Sequence, residues 1–414
     1  MRVPIVSSRG VLGAVNRIVR NLGLSLAAFD VDSVVAAACE RARLYDFGAP
    51  ELRESLRLLL ADLDTQSRLT PIGRLAARRD IVNLLAQRLG LVADRARYPA
   101  IADEEVARPL FIIGMPRTGT TLIHHLLGAD PSHRVARAWE VMCPSPPPGL
   151  DRSESDPRIA QADRQLRWLD WLAPTLKTMH PLGAHLGLEC IAIMSYSLLS
   201  SRFDATYRVP RYQAWLARQD HRPAYEFHRR FLQHLQWRTP SRRWVLKAPA
   251  HLPTLEALLA VYPDALIVQT HRDPVVALAS VASLNATLRG AFSDDVDQTA
   301  IGPVEARRWA TAVEHGIEVR ASGRVPAEQF VDVHYQDLIA DPLGTVQGIY
   351  RSFDLPFTEA VARRMHAHLT RHPKDANGAH RYSLAACGLD PDEVSRRFKA
   401  YREHFGIASE PVPV

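Results

Sequence analysis

The sequence predicts an α/β fold, a parallel sheet flanked by helices, and three observations carry that prediction. Short apolar runs recur at 110–113, 244–246, 265–270 and 330–334, each the length of a strand buried on both faces. Helix-period stretches follow these runs, and strands alternating with helices imply a parallel sheet covered on both sides. The first run leads directly into Gly114-Met-Pro-Arg-Thr-Gly119-Thr-Thr121, after which Leu122, Ile123, Leu126 and Leu127 take up helical spacing. A strand, a Gly-bounded loop and a helix start aim backbone N–H groups and the positive end of a helix dipole at one point. That is a P-loop-type sheet with an anion site, and the natural anion is a nucleotide phosphate.

The loop departs from the P-loop formula in one respect. Gly114 and Gly119 keep the spacing and Thr121 keeps the hydroxyl, but Thr120 stands where a lysine reaches the β- and γ-phosphates. The cation has moved inside the loop, to Arg117. The cradle therefore reads as rebuilt for an anion other than a nucleoside triphosphate, whose chemistry relies on that lysine.

Bulk properties set the frame. A chain of 414 residues holds one large domain with an extension, or two domains. Its 47% hydrophobic and 23% charged residues are those of a globular protein. The net charge of +6 suits anionic ligands and is too small to argue for nucleic acid. Cys39, Cys143, Cys190 and Cys387 are widely spaced, which reads as reduced thiols and a cytoplasmic location. No apolar run is long enough to span a membrane. Val11, Leu12, Val15, Ile18, Val19 and Leu22 share one helical face beside Arg17 and Arg20, so peripheral membrane contact is one option and packing on the domain the other.

Taken in order, residues 1–105 read as a helical N-terminal extension without chemistry of its own. Helical spacing covers 33–44 and 50–63, and Thr70-Pro71 caps a helix reaching about Leu91. Residues 106–414 read as the α/β domain that carries the loop. Within it, 157–236 is a helical insertion rich in aromatics such as Trp168, Trp171, Tyr196 and Trp215, suited equally to an apolar pocket wall and to core. From 243 the α/β rhythm resumes. Arg117, Lys247, Arg272 and Tyr335 all fall just beyond strand ends, where ligands of such sheets lie. Asp273 and Pro274 are a good N-cap and first helical residue, holding Arg272 at a helix start.

Pro116-Arg-Thr-Gly-Thr-Thr121, together with His271-Arg-Asp-Pro followed by Ser280 and with Lys247-Ala-Pro between them, resembles the paired signature of sulfotransferases that use 3′-phosphoadenosine-5′-phosphosulfate (PAPS). The pattern is similar to bacterial sulfotransferases and tyrosylprotein sulfotransferases, over roughly residues 106–400. The resemblance implies PAPS as co-substrate and no metal. It assigns Pro116, Arg117, Thr118, Gly119, Thr120 and Thr121 to the 5′-phosphosulfate, and Arg272 with Ser280 to the 3′-phosphate. Tyr335 falls to the adenosine. Where many of these enzymes close the 3′-phosphate site with a late Arg-Lys-Gly run, this sequence departs from the pattern and reads His372-Pro-Lys374 through Arg381, with Lys374 and Arg381 as the substitutes. Guanidinium matches phosphate geometry with paired hydrogen bonds. Arg117 and Lys247 match the catalytic cations, and Glu140 aligns with the family's glutamate base; His180 and Glu189 are the reserves.

The expected function is transfer of a sulfuryl group to a hydroxyl of an apolar small molecule or lipid, by in-line displacement. A P-loop phosphotransferase is the enzyme alternative, against which stand Thr120 and the lack of a strand-end carboxylate for Mg²⁺. A binding module with the same fold is the non-enzyme alternative. His124-His125 and His180 with His185 have no completing ligand set for zinc. Oligomeric state and acceptor identity are not legible in the sequence.

Overall fold

The computed structural model describes residues 9–22, 27–48, 52–150, 156–172, 183–240, 242–372 and 383–411. Its centre is a five-stranded sheet of β1 (Leu110–Gly114), β2 (His133–Arg134), β3 (Arg243–Lys247), β4 (Leu266–His271) and β5 (Phe330–His334). The order is β2-β3-β1-β4-β5, with every pairing parallel. β1 is thus central, with chain crossovers to either side, and the crevice beyond its carboxyl end is the topological switch point. Register aligns the strand ends there: Ile112 pairs with Lys247, and Gly114 with Thr270. At two residues, β2 is too short to leave an apolar run, which is why the sequence pattern does not reveal it.

Strand alternation divides the core. Phe111 and Ile113 join the helical insertion and the N-terminal helices in one apolar cluster. Leu110 and Ile112 face the other way, onto Ile123, Leu126, Val346 and Ile349. Because Leu59, Leu60, Leu63, Ile81, Leu85 and Leu89 belong to the first cluster, the N-terminal extension shares its core with the sheet. Helix Pro71–Arg97 starts as expected, with the Thr70 hydroxyl accepting from Gly73 N at 2.9 Å, but runs a turn and a half beyond Leu91. Helix Arg9–Asn21 turns Asn16 inward, its amide oxygen accepting from Ile72 N at 3.0 Å, and leaves Val15, Ile18 and Leu22 exposed. A long helix without an expected counterpart, Gln298–Ala321, carries Pro303 inside it and buries Glu305 and Trp309.

Beneath β1 lies a fully buried set of polar aromatics. His228 Nδ1 meets the Tyr262 hydroxyl at 2.8 Å, and His251 Nδ1 meets that of Tyr225 at 2.8 Å. Burial alone pushes His228 down to about 3, burial pushes His234 down to about 4, and His251 falls well below the usual histidine range. These rings fold neutral but bind protons once unfolded, so their contribution to stability is complete above the ordinary histidine range and is lost as pH falls towards the folded-state values. Urea midpoints are therefore expected to drop steeply between about pH 6.5 and 4. A His228→Phe, His251→Phe double variant, which removes two of the titrating rings, flattens that dependence.

Candidate active site

The loop after β1 is held open by its backbone. Gly114 has φ +128°, and a Cβ there would sit 2.5 Å from Thr270 O. Gly119 has φ +93°, and its Cβ would lie 2.5 Å from Leu338 Cδ2. Arg117 adopts φ +67°, a left-handed conformation that costs a non-glycine residue about 1–2 kcal/mol and so marks a side chain whose position is dictated by its surroundings. Helix Thr120–Gly128 follows, with Gly119 at the N-cap and no side chain capping it, so its dipole faces the loop. The Thr118 hydroxyl turns inward to Met115 O at 2.6 Å and is fully buried. Thr120 is buried as well, whereas Thr121 presents its hydroxyl to Lys247 Nζ at 3.4 Å.

The other strand ends converge on this loop. Arg117 Nε donates to Ser280 Oγ at 3.0 Å, and Arg272 Nη1 donates to the Arg117 carbonyl at 3.0 Å. The Arg272 guanidinium lies 3.8 Å above the Tyr335 ring, a cation–π contact that fixes its plane. Asp273 caps the following helix through Oδ1 to Val275 N at 3.1 Å, as its sequence position implies. The structure thus gathers Arg117, Thr121, Lys247, Arg272, Ser280 and Tyr335, with Pro116 lining the neighbouring cavity. His180, Lys374 and Arg381 lie outside the described residues. Among the described residues no cluster of His, Cys, Asp or Glu could hold a metal.

Two carboxylates change the picture. Glu140 does not line the cavity beside the loop. It is 5% exposed; Oε1 accepts from Arg134 Nη2 at 2.8 Å and Oε2 from Arg137 N at 3.1 Å. Both oxygens are thus engaged, one in a buried ion pair and the other at a helix start. Glu189 lines the cavity and its Oε1 accepts from Lys247 Nζ at 2.5 Å. Lys247 is 2% exposed and bridges the phosphate loop to the cavity through these two bonds. The neighbouring Cys190 thiol is fully buried, and that burial pushes it up to about 12.

Sequence reading also misses Glu410. Its Oε1 accepts from Arg272 Nε at 2.9 Å and its Oε2 from Nη2 at 2.8 Å, while its own N–H donates to Asp273 Oδ2 at 2.8 Å. A carboxylate here satisfies the guanidinium in the bidentate manner of a phosphate. Behind it, burial opposes ionisation of Asp332, but hydrogen bonds from Arg320 and His271 outweigh that and hold the carboxyl far below its ordinary value.

The cavity opening beside Glu189 and Lys247 has a volume of about 410 Å³, within the range of small-molecule sites. Its walls are largely apolar, with Leu84, Leu166, Leu169, Val281, Leu284 and Leu288 among them. Leu84 comes from the N-terminal extension, which thus contributes to the cavity wall.

A Gly-bounded loop at a strand end, two arginines and a serine beside it, and a lysine joining the loop to Glu189 of an apolar cavity have the layout of a group-transfer enzyme. Residues 109–359 match the sulfotransferase family, more than half of the chain, and the protein belongs to that family. The solved sulfotransferase STF1 of Mycobacterium tuberculosis H37Rv is 36% identical, with a TM-score of 0.80, over 91% of this chain and 99% of that one. Sulfotransferase STF9 of Mycobacterium avium is 32% identical, with a TM-score of 0.83, over 92% and 97%. The omega-hydroxy-beta-dihydromenaquinone-9 sulfotransferase Stf3 of Mycobacterium bovis is 27% identical over 276 residues, 64% of this chain and 67% of that protein. The chain is accordingly a sulfotransferase of α/β architecture with the P-loop-like sheet, in a family whose usual donor is PAPS. No helix among the described residues is long and apolar enough to cross a membrane.

Proposed function

We propose that this sulfotransferase transfers the sulfuryl group of PAPS to a hydroxyl of an apolar small molecule or lipid. The observation that carries the reading is Lys247, which bonds Thr121 of the phosphate loop on one side and Glu189 of the apolar cavity on the other. PAPS supplies the activated sulfuryl group. The loop N–H groups and Arg117 would hold its 5′ end, and Arg272 with Ser280 its 3′-phosphate, with the base stacked near Tyr335. Glu189 holds the position from which a cavity hydroxyl can lose its proton. Lys247 neutralises charge that builds on the bridging oxygen as the bond to sulfur breaks. As the ammonium is drawn towards that oxygen, Glu189 loses its counter-ion and becomes a better base at the moment a base is needed.

An apolar acceptor is supported by the cavity walls and by the exposed, adjoining pair Trp168 and Trp171, on the helix that carries Leu166 and Leu169. A relative that is a menaquinone-type lipid sulfotransferase points the same way. The cysteines, all free and buried, accord with a reducing cytoplasmic setting.

Thermal unfolding in the presence of adenosine 3′,5′-bisphosphate tests the donor site. At about a hundred times its Kd, a native-state ligand stabilises by roughly 2.7 kcal/mol, and Arg272→Ala is expected to abolish most of that shift. Glu410→Gln, which removes the carboxylate competing for Arg272, is expected to tighten binding. Stabilisation by Mg²⁺-ATP and not by the bisphosphate would contradict the reading.

A further inference from the structure

Helix Arg9–Asn21 is amphipathic, but it packs on the domain by its polar side. Val15, Ile18 and Leu22 follow one another at helical spacing along a single stripe. A helix held to its own domain by burial of apolar surface turns such a stripe inward. Here the stripe faces solvent: Val15, Ile18 and Leu22 are 39%, 58% and 65% exposed. The residue turned inward is Asn16, whose amide oxygen accepts from Ile72 N of helix Pro71–Arg97 at 3.0 Å. Leu75, one turn on from Ile72, is 49% exposed and adds to the aliphatic surface. Exposed apolar side chains gathered in this way, and not scattered singly, mark a surface that meets something.

The charge on these helices indicates what it meets. Helix Arg9–Asn21 contains Arg9, Arg17 and Arg20 and no acid. The first acid of the chain, Asp30, caps the next helix by accepting from Ser33 N at 2.8 Å, and Asp64 is paired with Arg74 at 2.5 Å. Arg17 is exposed, and so is Arg79, one turn on from Leu75. Aliphatic side chains flanked by arginine suit an anionic lipid interface, where the former enter the boundary of the acyl chains and the latter meet phosphate.

We propose that the outward face of helix Arg9–Asn21, together with Leu75 and Arg79, docks this sulfotransferase on the surface of an anionic lipid bilayer. This binding goes beyond the transfer reaction and does not depend on it. At 13 residues the helix is too short to span a bilayer and lies along its surface. Its position gives the docking a use. Leu75, Arg79 and Asn83 occupy successive turns of helix Pro71–Arg97, and Asn83 lines the apolar cavity about 12 Å along the helix from Leu75. Helix Pro157–Leu172, which lines the same cavity through Leu166 and Leu169, exposes Trp168 and Trp171, a residue type that settles at the headgroup level. An apolar acceptor dissolved in the bilayer then has a short path to the cavity.

The test is flotation of the full chain with vesicles of phosphatidylcholine alone and of phosphatidylcholine mixed with phosphatidylglycerol. The protein is expected to float with the anionic vesicles, less so as salt rises, and far more weakly with the neutral ones. Ile18→Asp with Leu22→Asp should lower the affinity for anionic vesicles by about tenfold or more, and Arg17→Gln by about fivefold, the worth of one arginine near the surface. These side chains are exposed, so thermal unfolding and its shift by adenosine 3′,5′-bisphosphate should match the native chain. Ile18→Ser with Leu22→Ser serves if the aspartate variant does not fold. No flotation with either vesicle, equal flotation with both, or flotation that survives the double variant would overturn the proposal. A chain that stays off the vesicles and forms a dimer, with the double variant monomeric, would assign the stripe to a second copy instead. Sulfation of a short, water-soluble alcohol is measured on the same preparations; its absence would count against the transfer reaction and leave the flotation result standing.

Discussion

Lys247→Ala is expected to lower kcat by about 10²–10³ while leaving the affinity for adenosine 3′,5′-bisphosphate within a few-fold. The asymmetry follows from position. Lys247 is buried at the end of β3 and reaches the loop only through the Thr121 hydroxyl at 3.4 Å, while its short bond is to Glu189. In the proposed reading the anion is held instead by Arg117, Ser280 and Arg272, which bond one another beside the loop. Its charge therefore matters most when the bridging oxygen becomes negative, which is a transition-state and not a ground-state interaction. Steady-state kinetics with PAPS and a chosen alcohol, beside calorimetry with the bisphosphate, separates the two. A variant that keeps its kcat but loses donor affinity would make Lys247 a binding residue only.

Glu189→Gln is the second large effect, with an expected fall in kcat of about 10²–10⁴ and loss of the acid limb of the pH–rate profile. The amide cannot take a proton, yet it retains the shape and a hydrogen bond to Lys247. Glu140 supplies the contrast. Removing its carboxylate strands the Arg134 charge in the interior, where the guanidinium keeps the Thr239 hydroxyl, the Leu235 carbonyl and the Trp244 ring but no carboxylate. Breaking such a buried pair costs about 3–5 kcal/mol, so Glu140→Ala is expected to lose stability while the folded fraction keeps its turnover. Chemical denaturation and kinetics on the same preparations distinguish these roles. Full stability with lost turnover in the Glu140 variant would return the base to that position.

Much of this site is legible in the sequence because its parts sit at strand ends. Gly114 and Gly119 signal the loop, Arg117 its unusual cation, and the apolar runs before Lys247 and Arg272 place both at the rim. What the sequence hides are relations between distant segments. Glu140 and Glu189 look alike as letters, and only the fold shows one bonded to Arg134 and the other facing Lys247. Glu410 follows the last helix by five residues and carries no motif, yet it meets Arg272 across 138 positions. Helix Pro71–Arg97 reads as plain scaffold because Asp80, Asn83 and Gln87 are ordinary surface letters until a cavity is seen beside them. Helix Gln298–Ala321 was obscured by Pro303, which breaks the expectation of a continuous helix.

In the proposed reaction a nucleotide-borne sulfuryl group crosses from the cradle to an apolar hydroxyl at Lys247. This transfer is tested most directly by incubating the purified protein with PAPS labelled on sulfur and a panel of apolar alcohols and diols, then following label into organic-extractable product. The account predicts a labelled sulfate ester, formed without added divalent metal and reduced about 10²–10³-fold in initial rate by Lys247→Ala. No labelled ester from any alcohol, with transfer of phosphate from Mg²⁺-ATP instead, would contradict it.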